Sequence, residues 1–427
     1  MRFSSLEQWL AWQESLHPTE IELGLARVRS VDQALSTEPL APVVIIVGGT
    51  NGKGSTLAFL QAIYLAAGYR VGTYTSPHLM SYNERVCLNG VPVSDQLLCE
   101  AFERVDQARI DTSLTYFEFG TLAAFDIFRK AKLDVVLLEV GLGGRLDAVN
   151  IAEPSLSIIT SIGLDHTDWL GDTREAICAE KLGIARKGKD LVIGEPKPPQ
   201  NMSALIERME AHSHRFNKDF SFELMDTQWT WHGNGNTVPA LPFPGLRGQF
   251  QFVNASVAIE AVILLHKQLP VGHSDIRTGI ANARILGRLE CIDSPTHRYW
   301  LDIAHNAHAI ESLVKELERW PHVKTRVAVF GVMRDKDYQD MLKMLLPHID
   351  LWYLCGLNTP RALVIEELRK ELPKLEVEQD KIRVFDSVET ALRDLENRSP
   401  GLEVLVLGSF YTVSAARSQL LSDQHAQ

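Results

Sequence analysis

Residues 43–56 read VVIIVGGTNGKGST, and their interpretation decides the fold. The first five, Val43–Val47, are apolar and mostly β-branched, the composition of a strand buried on both faces of a parallel sheet. Beyond the loop, Leu57, Leu60, Ile63, Tyr64 and Ala67 recur at helical spacing until Gly68. A glycine-rich corner between strand and helix lets the backbone approach an anion, and the helix N-terminus meets it with free N–H groups. Lys53 adds a point charge, and Ser55 and Thr56 add hydroxyls that suit phosphate or Mg2+. The expected ligand is a nucleoside triphosphate. The general pattern G-x-x-x-x-G-K-[ST] is met only in part, since Val47 stands at its first glycine and Gly54 at its hydroxyl position. A solvated lysine on a glycine turn would use similar letters, but strand, loop, lysine and helix follow the order that phosphate binding requires.

Outward from this corner, strand-like runs alternate with helical patterns: RVGTYTS (70–76), DVVLLEV (134–140), LSIITSI (156–162) and DLVIGE (190–195). This predicts an α/β layout with a mostly parallel sheet. Residues 196–250, richer in Pro, Gly, Asn and Trp, read as an irregular or antiparallel section, and His212 and His214 within it read as surface residues. A helix carrying Asn254 follows. A second α/β series then runs through YWLDIA (299–304), RVAVFGV (326–332), DLWYLCG (350–356) and EVLVLGS (403–409). The fold class is therefore α/β: an N-terminal P-loop ATPase domain, residues 1–287, and a smaller Rossmann-like domain, residues 288–427. A length of 427 residues accords with two domains.

The net charge of −11 argues against general nucleic-acid binding. Five scattered cysteines without a CxxC pair suggest neither a disulfide framework nor a zinc site. The amphipathic N-terminus lacks the apolar core of a signal peptide, and no apolar run approaches membrane-spanning length, so the expected compartment is the cytoplasm and no membrane partner is expected.

In open α/β sheets, ligands bind beyond the carboxyl ends of the strands. Ser76 and His78 follow one strand in SPHL, Glu139 ends another before GLGGRLDAVN, and Asp165 and His166 follow a third in LDHTDWLG. A carboxylate, a hydroxyl and an imidazole near a phosphate loop are candidates for Mg2+, although the imidazole is an unusual member of an oxygen-seeking ion's shell.

Together, IELGLARV (21–28), GTNGKGST (49–56), SPHL (76–79), LTYFEFGT (114–121), EVGLGGRLDAVN (139–150), LDHTDWLG (164–171), EKLGI (180–184), GR (287–288) and DIAHNAHA (302–309) resemble the folylpolyglutamate synthase family. The likeness is strongest to its bacterial bifunctional dihydrofolate synthase/folylpolyglutamate synthases, within the Mur-ligase superfamily, and runs along almost the whole chain. The resemblance implies roles by position. Thr50, Asn51, Gly52, Lys53, Gly54 and Ser55 hold the ATP phosphates; Asn254, Arg288 and Asp302 contact ATP; and His305 lies near the nucleotide. Ser76 and Glu139 bind one Mg2+ and His166 a second. Glu22, Leu23 and Gly24, then Thr115, Tyr116, Phe117 and Glu118, then Leu146, Asp147 and Ala148 line the dihydropteroate site. Lys181 matches a lysine that the family carries as a carbamate, an anionic oxygen ligand for Mg2+. Where the family has Pro after the Asn of its DxAHNP motif, this chain has Ala307; the Val47 and Gly54 departures agree with the superfamily's own loop.

The activity so implied is ATP-dependent ligation through an acyl phosphate: L-glutamate joins dihydropteroate, giving dihydrofolate, or joins tetrahydrofolate and its polyglutamates. A monomer is expected. The alternative within the family is tail extension only. A Mur ligase acting on peptidoglycan precursors is disfavoured because the phosphate loop arrives by residue 48, and a GTPase switch because NKDF at 217–220 lacks the N-K-x-D spacing.

Overall fold

The structure, a computed structural model, describes residues 2–321 and 325–425. The chain forms two compact units: residues 1–245 with 251–284, and residues 246–250 with 285–427.

The first unit is built on an eight-stranded sheet. Its strands are β1 (Val43–Gly48), β2 (Val71–Tyr74), β3 (Val86–Leu88), β4 (Val91–Pro92), β5 (Val135–Glu139), β6 (Leu156–Ile159), β7 (Asp190–Ile193) and β8 (His212–Arg215). The order is β4-β3-β2-β5-β1-β6-β7-β8, and β3 alone runs against the others, antiparallel to both β2 and β4. Every residue of β1 is buried, as its unbroken apolar run requires when helices cover both faces. The order sets β2, β5, β1 and β6 side by side, so Ser76, Glu139, the glycine loop and Thr160 all follow neighbouring strand ends.

Two expectations for residues 196–250 are corrected. The stretch does contain an antiparallel sheet, β9 (Phe220–Leu224), β10 (Trp229–Gly233) and β11 (Asn236–Leu241). Before it, however, β8 extends the main sheet in parallel with β7. Within β8 only His212 lies on the surface. His214 is half-buried: its Nε2 is 3.0 Å from Asp190 and its Nδ1 3.3 Å from Glu260, a carboxylate with no solvent exposure on the helix Phe250–Leu264. Asn234, in the β10–β11 turn, donates to Glu260. The carboxylates hold the His214 imidazole up at about 9, so it is a half-buried cation at neutral pH.

The second unit carries a six-stranded sheet: β12 (Glu290–Asp293), β13 (Arg298–Leu301), β14 (Arg326–Phe330), β15 (Leu351–Cys355), β16 (Ile382–Phe385) and β17 (Glu403–Leu407). The order is β12-β13-β17-β14-β15-β16, with β12 alone antiparallel. β13 stops at Leu301, which places Asp302 and His305 just past its carboxyl end. Among the described residues, no helix is long and apolar enough to cross a membrane.

Candidate active site

The loop after β1 is tied to the loop after β6. Thr50 N–H donates to Ser161 O (2.8 Å), Asn51 N–H to Ser161 Oγ (3.0 Å), and Thr160 Oγ1 to Asn51 O (2.7 Å). These bonds hold a backbone that only glycine can follow. Gly49 has φ +146°, and a Cβ there would lie 1.9 Å from Thr160 Oγ1. Gly52, at φ +88°, caps the helix Lys53–Ala66, and a Cβ there would lie 2.6 Å from Asn254 Oδ1. Gly54 and Ser55 fall in the first turn of that helix, both buried. The Thr56 hydroxyl beside them is buried with no hydrogen-bond partner among the described residues.

Two lysines converge on this loop. Lys53 Nζ donates to Gly49 O (3.1 Å) and Thr50 O (3.2 Å). Lys181 Nζ, on the buried face of the helix Arg174–Leu182, donates to the same Gly49 O at 3.0 Å. Burial, with Lys53 adding repulsion, pulls the Lys181 amine down to about 7, so a large share of it is neutral at physiological pH. The glycines after β5 make this approach possible: a Cβ on Gly144 would lie 2.8 Å from Glu180 O and 2.9 Å from Lys181 O.

At the neighbouring strand ends, the Ser76 backbone N–H donates to Glu139 Oε2 at 3.2 Å, which brings residue 76 beside the carboxylate. His166 is exposed and left-handed (φ 52°) at the start of the short helix Thr167–Leu170. No group of three or more His, Cys, Asp or Glu among the described residues is arranged to hold a metal. One carboxylate and one hydroxyl beside a phosphate loop nevertheless fit Mg2+, which takes much of its shell from phosphate oxygens and water.

The segments expected to line the acceptor site are held by their own networks. Thr115 and Glu118 form a capping box on the helix Tyr116–Lys130. Glu118 is buried and receives Arg27 Nε on both oxygens, at 2.9 and 3.0 Å. Arg27 also holds the Glu22 carboxylate and backbone carbonyl, and His17 Nε2 reaches Glu22 at 2.8 Å. Leu23 and Gly24 thus belong to an irregular segment anchored at Glu22; Gly24 adjoins open space. Asp147 is buried and accepts the N–H groups of Gly141, Leu142 and Val149 within 3.0 Å. Burial pushes its pKa up to about 6. Both its oxygens therefore shape the loop in which Leu146 and Ala148 sit. Phe117 packs on Gly141, where a Cβ would lie 2.7 Å from its ring.

Asn254 is buried in the first unit, with Nδ2 donating to Gln251 Oε1 (2.9 Å). Gln251, fully buried, donates in turn to Ser55 Oγ at 3.3 Å. Gln251 is a residue that sequence reasoning missed; its spacing one turn before Asn254 is the available signal. In the second unit, Asp302 is buried and accepts from Leu289 and Ala304 N–H at 2.9 Å each, burial raising its pKa. Arg288 carries a buried Nε with no hydrogen-bond partner among the described residues. His305 donates Nδ1–H to Ile303 O at 2.7 Å.

Comparisons with known proteins agree with this architecture. The pattern described as "Mur ligase middle domain" matches residues 47–262, and "Mur ligase, glutamate ligase domain" matches 287–410. The dihydrofolate synthase/folylpolyglutamate synthase of Escherichia coli is 40% identical over 415 residues, 96% of this chain and 94% of that protein. The structure of E. coli FolC in complex with DHPP and ADP aligns with a TM-score of 0.92 at 39% identity, covering 99% of both chains. A bifunctional folylpolyglutamate synthase/dihydrofolate synthase with Mn, AMPPNP and L-glutamate bound aligns with a TM-score of 0.89 at 40% identity, covering 99% of this chain and 98% of that one. The chain belongs to the dihydrofolate synthase/folylpolyglutamate synthase family of Mur ligases.

Proposed function

We propose that this chain is a cytoplasmic, monomeric ATP-dependent carboxylate–amine ligase that joins L-glutamate to dihydropteroate and to reduced folates. The observation that carries the reading is the meeting, at adjacent strand ends, of a glycine loop, two lysine amines, and the Glu139 carboxylate bonded to the Ser76 backbone N–H. A carboxylate does not condense with an amine at neutral pH, because its leaving group is oxide. Phosphorylation by ATP converts it to an acyl phosphate, and the amine of glutamate displaces phosphate from that.

The chain's part is positioning and charge. Thr50 to Ser55 bind the phosphates through backbone N–H groups, hydroxyl and amine. Lys53 neutralises charge as an anionic carboxylate nears an anionic phosphate. Ser76 and Glu139 would hold one Mg2+ and His166 a second, and these ions would supply further charge neutralisation. Asn254 orients the nucleotide. Glu22 to Gly24, Thr115 to Glu118 and Leu146 to Ala148 hold the pterin-bearing acceptor. The neutral Lys181 amine would attack CO2 and lose a proton, and the resulting carbamate anion would suit Mg2+ as an oxygen ligand.

The test is a product assay with ATP, Mg2+ and L-glutamate, offering dihydropteroate or tetrahydrofolate, resolved by mass. Product from both is expected, with Lys53→Ala folded but inactive. Product from tetrahydrofolate alone reduces the function to tail extension, and product from neither overturns it.

A further inference from the structure

Glu195 stands just past the end of β7, where the strand-end rule looks for ligands, yet both its oxygens are taken up by the protein. The carboxylate is buried: Oε2 accepts Ile162 N–H at 2.7 Å, while Oε1 accepts Lys197 N–H at 2.9 Å and lies 3.3 Å from Arg174 Nη2. Arg174 Nε donates to Ile162 O at 2.8 Å, and Nη2 donates to Lys197 O at 2.7 Å. One ion pair thus holds both the N–H and the C=O of Ile162, a buried residue beyond the end of β6. Gly194 lets the two strand ends come this close, since a Cβ there would lie 2.9 Å from Thr160 O.

Burying an ion pair costs about as much in desolvation as the pairing returns, so net stability does not account for this one. Its neighbours do. Ile162 is flanked by the two residues that hold the phosphate loop. Ser161 accepts Thr50 N–H on its carbonyl and Asn51 N–H on its hydroxyl. Gly163 donates its N–H to Thr50 Oγ1 at 3.0 Å and accepts from that hydroxyl on its own carbonyl at 3.1 Å. Arg174 is also the first residue of the helix Arg174–Leu182, whose other end delivers Lys181 to Gly49 O. The loop is therefore reached from both ends of one helix, through Ile162 at one end and directly at the other. We propose that Glu195 and Arg174 are positioning residues for nucleotide binding: they fix Ile162, so that Ser161 and Gly163 keep Thr50 and Asn51 in the shape that receives phosphate. This rests on the phosphate-binding role proposed above for the loop.

The experiment is a double-mutant cycle read by calorimetry, with the non-hydrolysable ATP analogue AMPPNP and Mg2+ as the probe, so it does not depend on ligation. The proteins are wild type, Glu195→Gln, Ser161→Ala and the double variant, each with a thermal melt. Glutamine keeps one acceptor oxygen but sets an NH2 donor against a backbone N–H; alanine removes the hydroxyl that receives Asn51 N–H. Each single change should raise the AMPPNP Kd about 10-fold. The two act along one path, so the double variant should stay within about 3-fold of the weaker-binding single variant. If Glu195→Gln fails to fold, Arg174→Gln, at a more exposed side chain, takes its place in the cycle. A double variant weakened beyond that limit, towards the roughly 100-fold product of two independent effects, overturns the inference. So does an unchanged Kd in Glu195→Gln, or a fall in melting temperature with no change in Kd, which leaves the pair a purely structural role. A wild type that does not bind AMPPNP overturns the phosphate-loop reading and this inference together. A wild type that binds it but forms no product overturns the proposed ligation and leaves the cycle to decide this inference.

Discussion

His214→Gln removes the cation from between Asp190 and Glu260, and the structure gives the size and pH dependence of the loss. The imidazole pKa moves from 6.5 to about 9 because two carboxylates flank it, and Glu260 has no exposure to water. At about 1.4 kcal/mol per pH unit, the protonated form contributes about 3 kcal/mol to folding. The folded pKa lies above the unfolded one, so this stability is whole below pH 6.5 and is lost as pH rises through 9. The groups facing the ring are Asp190 and Glu260, with His212 3.9 Å from Asp190 and Asn234 donating to Glu260. The assay is urea unfolding of wild type and variant at pH 6, 7.5 and 9.5, followed by fluorescence of the buried Trp229 and Trp231 in the same unit. Lys181, drawn from 10.5 down to about 7, gives a slope of the opposite sign between those values, and subtracting the variant from wild type cancels it. At pH 6 the variant leaves Glu260 buried beside no cation, a change worth about 3–5 kcal/mol. The gap between the two proteins should then narrow by about 3 kcal/mol towards pH 9.5 and beyond. A gap that stays constant or widens over that range refutes the reasoning.

Two further outcomes follow from the loop. Gln251→Leu removes the donor to Ser55 and the acceptor for Asn254, and should raise the ATP KM about 10-fold with a smaller change in kcat, measured by steady-state kinetics beside a thermal melt. Gly49→Ala places a Cβ 1.9 Å from Thr160 Oγ1 at a φ of +146°, so the loop must move; nucleotide affinity by calorimetry should fall about 100-fold or more while the far-ultraviolet circular dichroism is kept.

Where function depends on neighbours in sequence, it was legible. The buried run of β1, the glycines and Lys53 are contiguous, and Ser76 and Glu139 end apolar strands, so the strand-end rule brings them together. What escaped depends on long-range packing. His214 sits in the polar string AHSHRF, and nothing local shows that Asp190 and Glu260 close around it from another strand and a helix. Gln251 meets Ser55 from 196 residues away. The β3–β4 hairpin has a local mark, Asn89 and Gly90 both at positive φ, but strands of three and two residues are too short to show a period. Thr115 and Glu118 carry a second message in the same letters: the segment whose family resemblance implied a binding role is also a capping box, and Arg27 occupies the carboxylate.

The shape of the phosphate loop follows from a charge problem. Gly49 O accepts from both Lys53 and Lys181, so two amines face one carbonyl in a buried place. Two full positive charges at that distance would repel strongly where water screens them little. The fully buried amine carries the greater desolvation cost and is the one that gives up its proton, which is why Lys181 falls to about 7. Lys53 stands in the first turn of the helix, where its amine faces an incoming phosphate. The glycines at 49, 52 and 144 are what allow this spacing, since a Cβ at each would collide with Thr160, Asn254 or the Lys181 backbone. A loop so arranged is cationic towards phosphate and still holds a neutral nucleophilic amine within it, and a carbamate formed on that amine would turn the repulsion of the lysine pair into attraction.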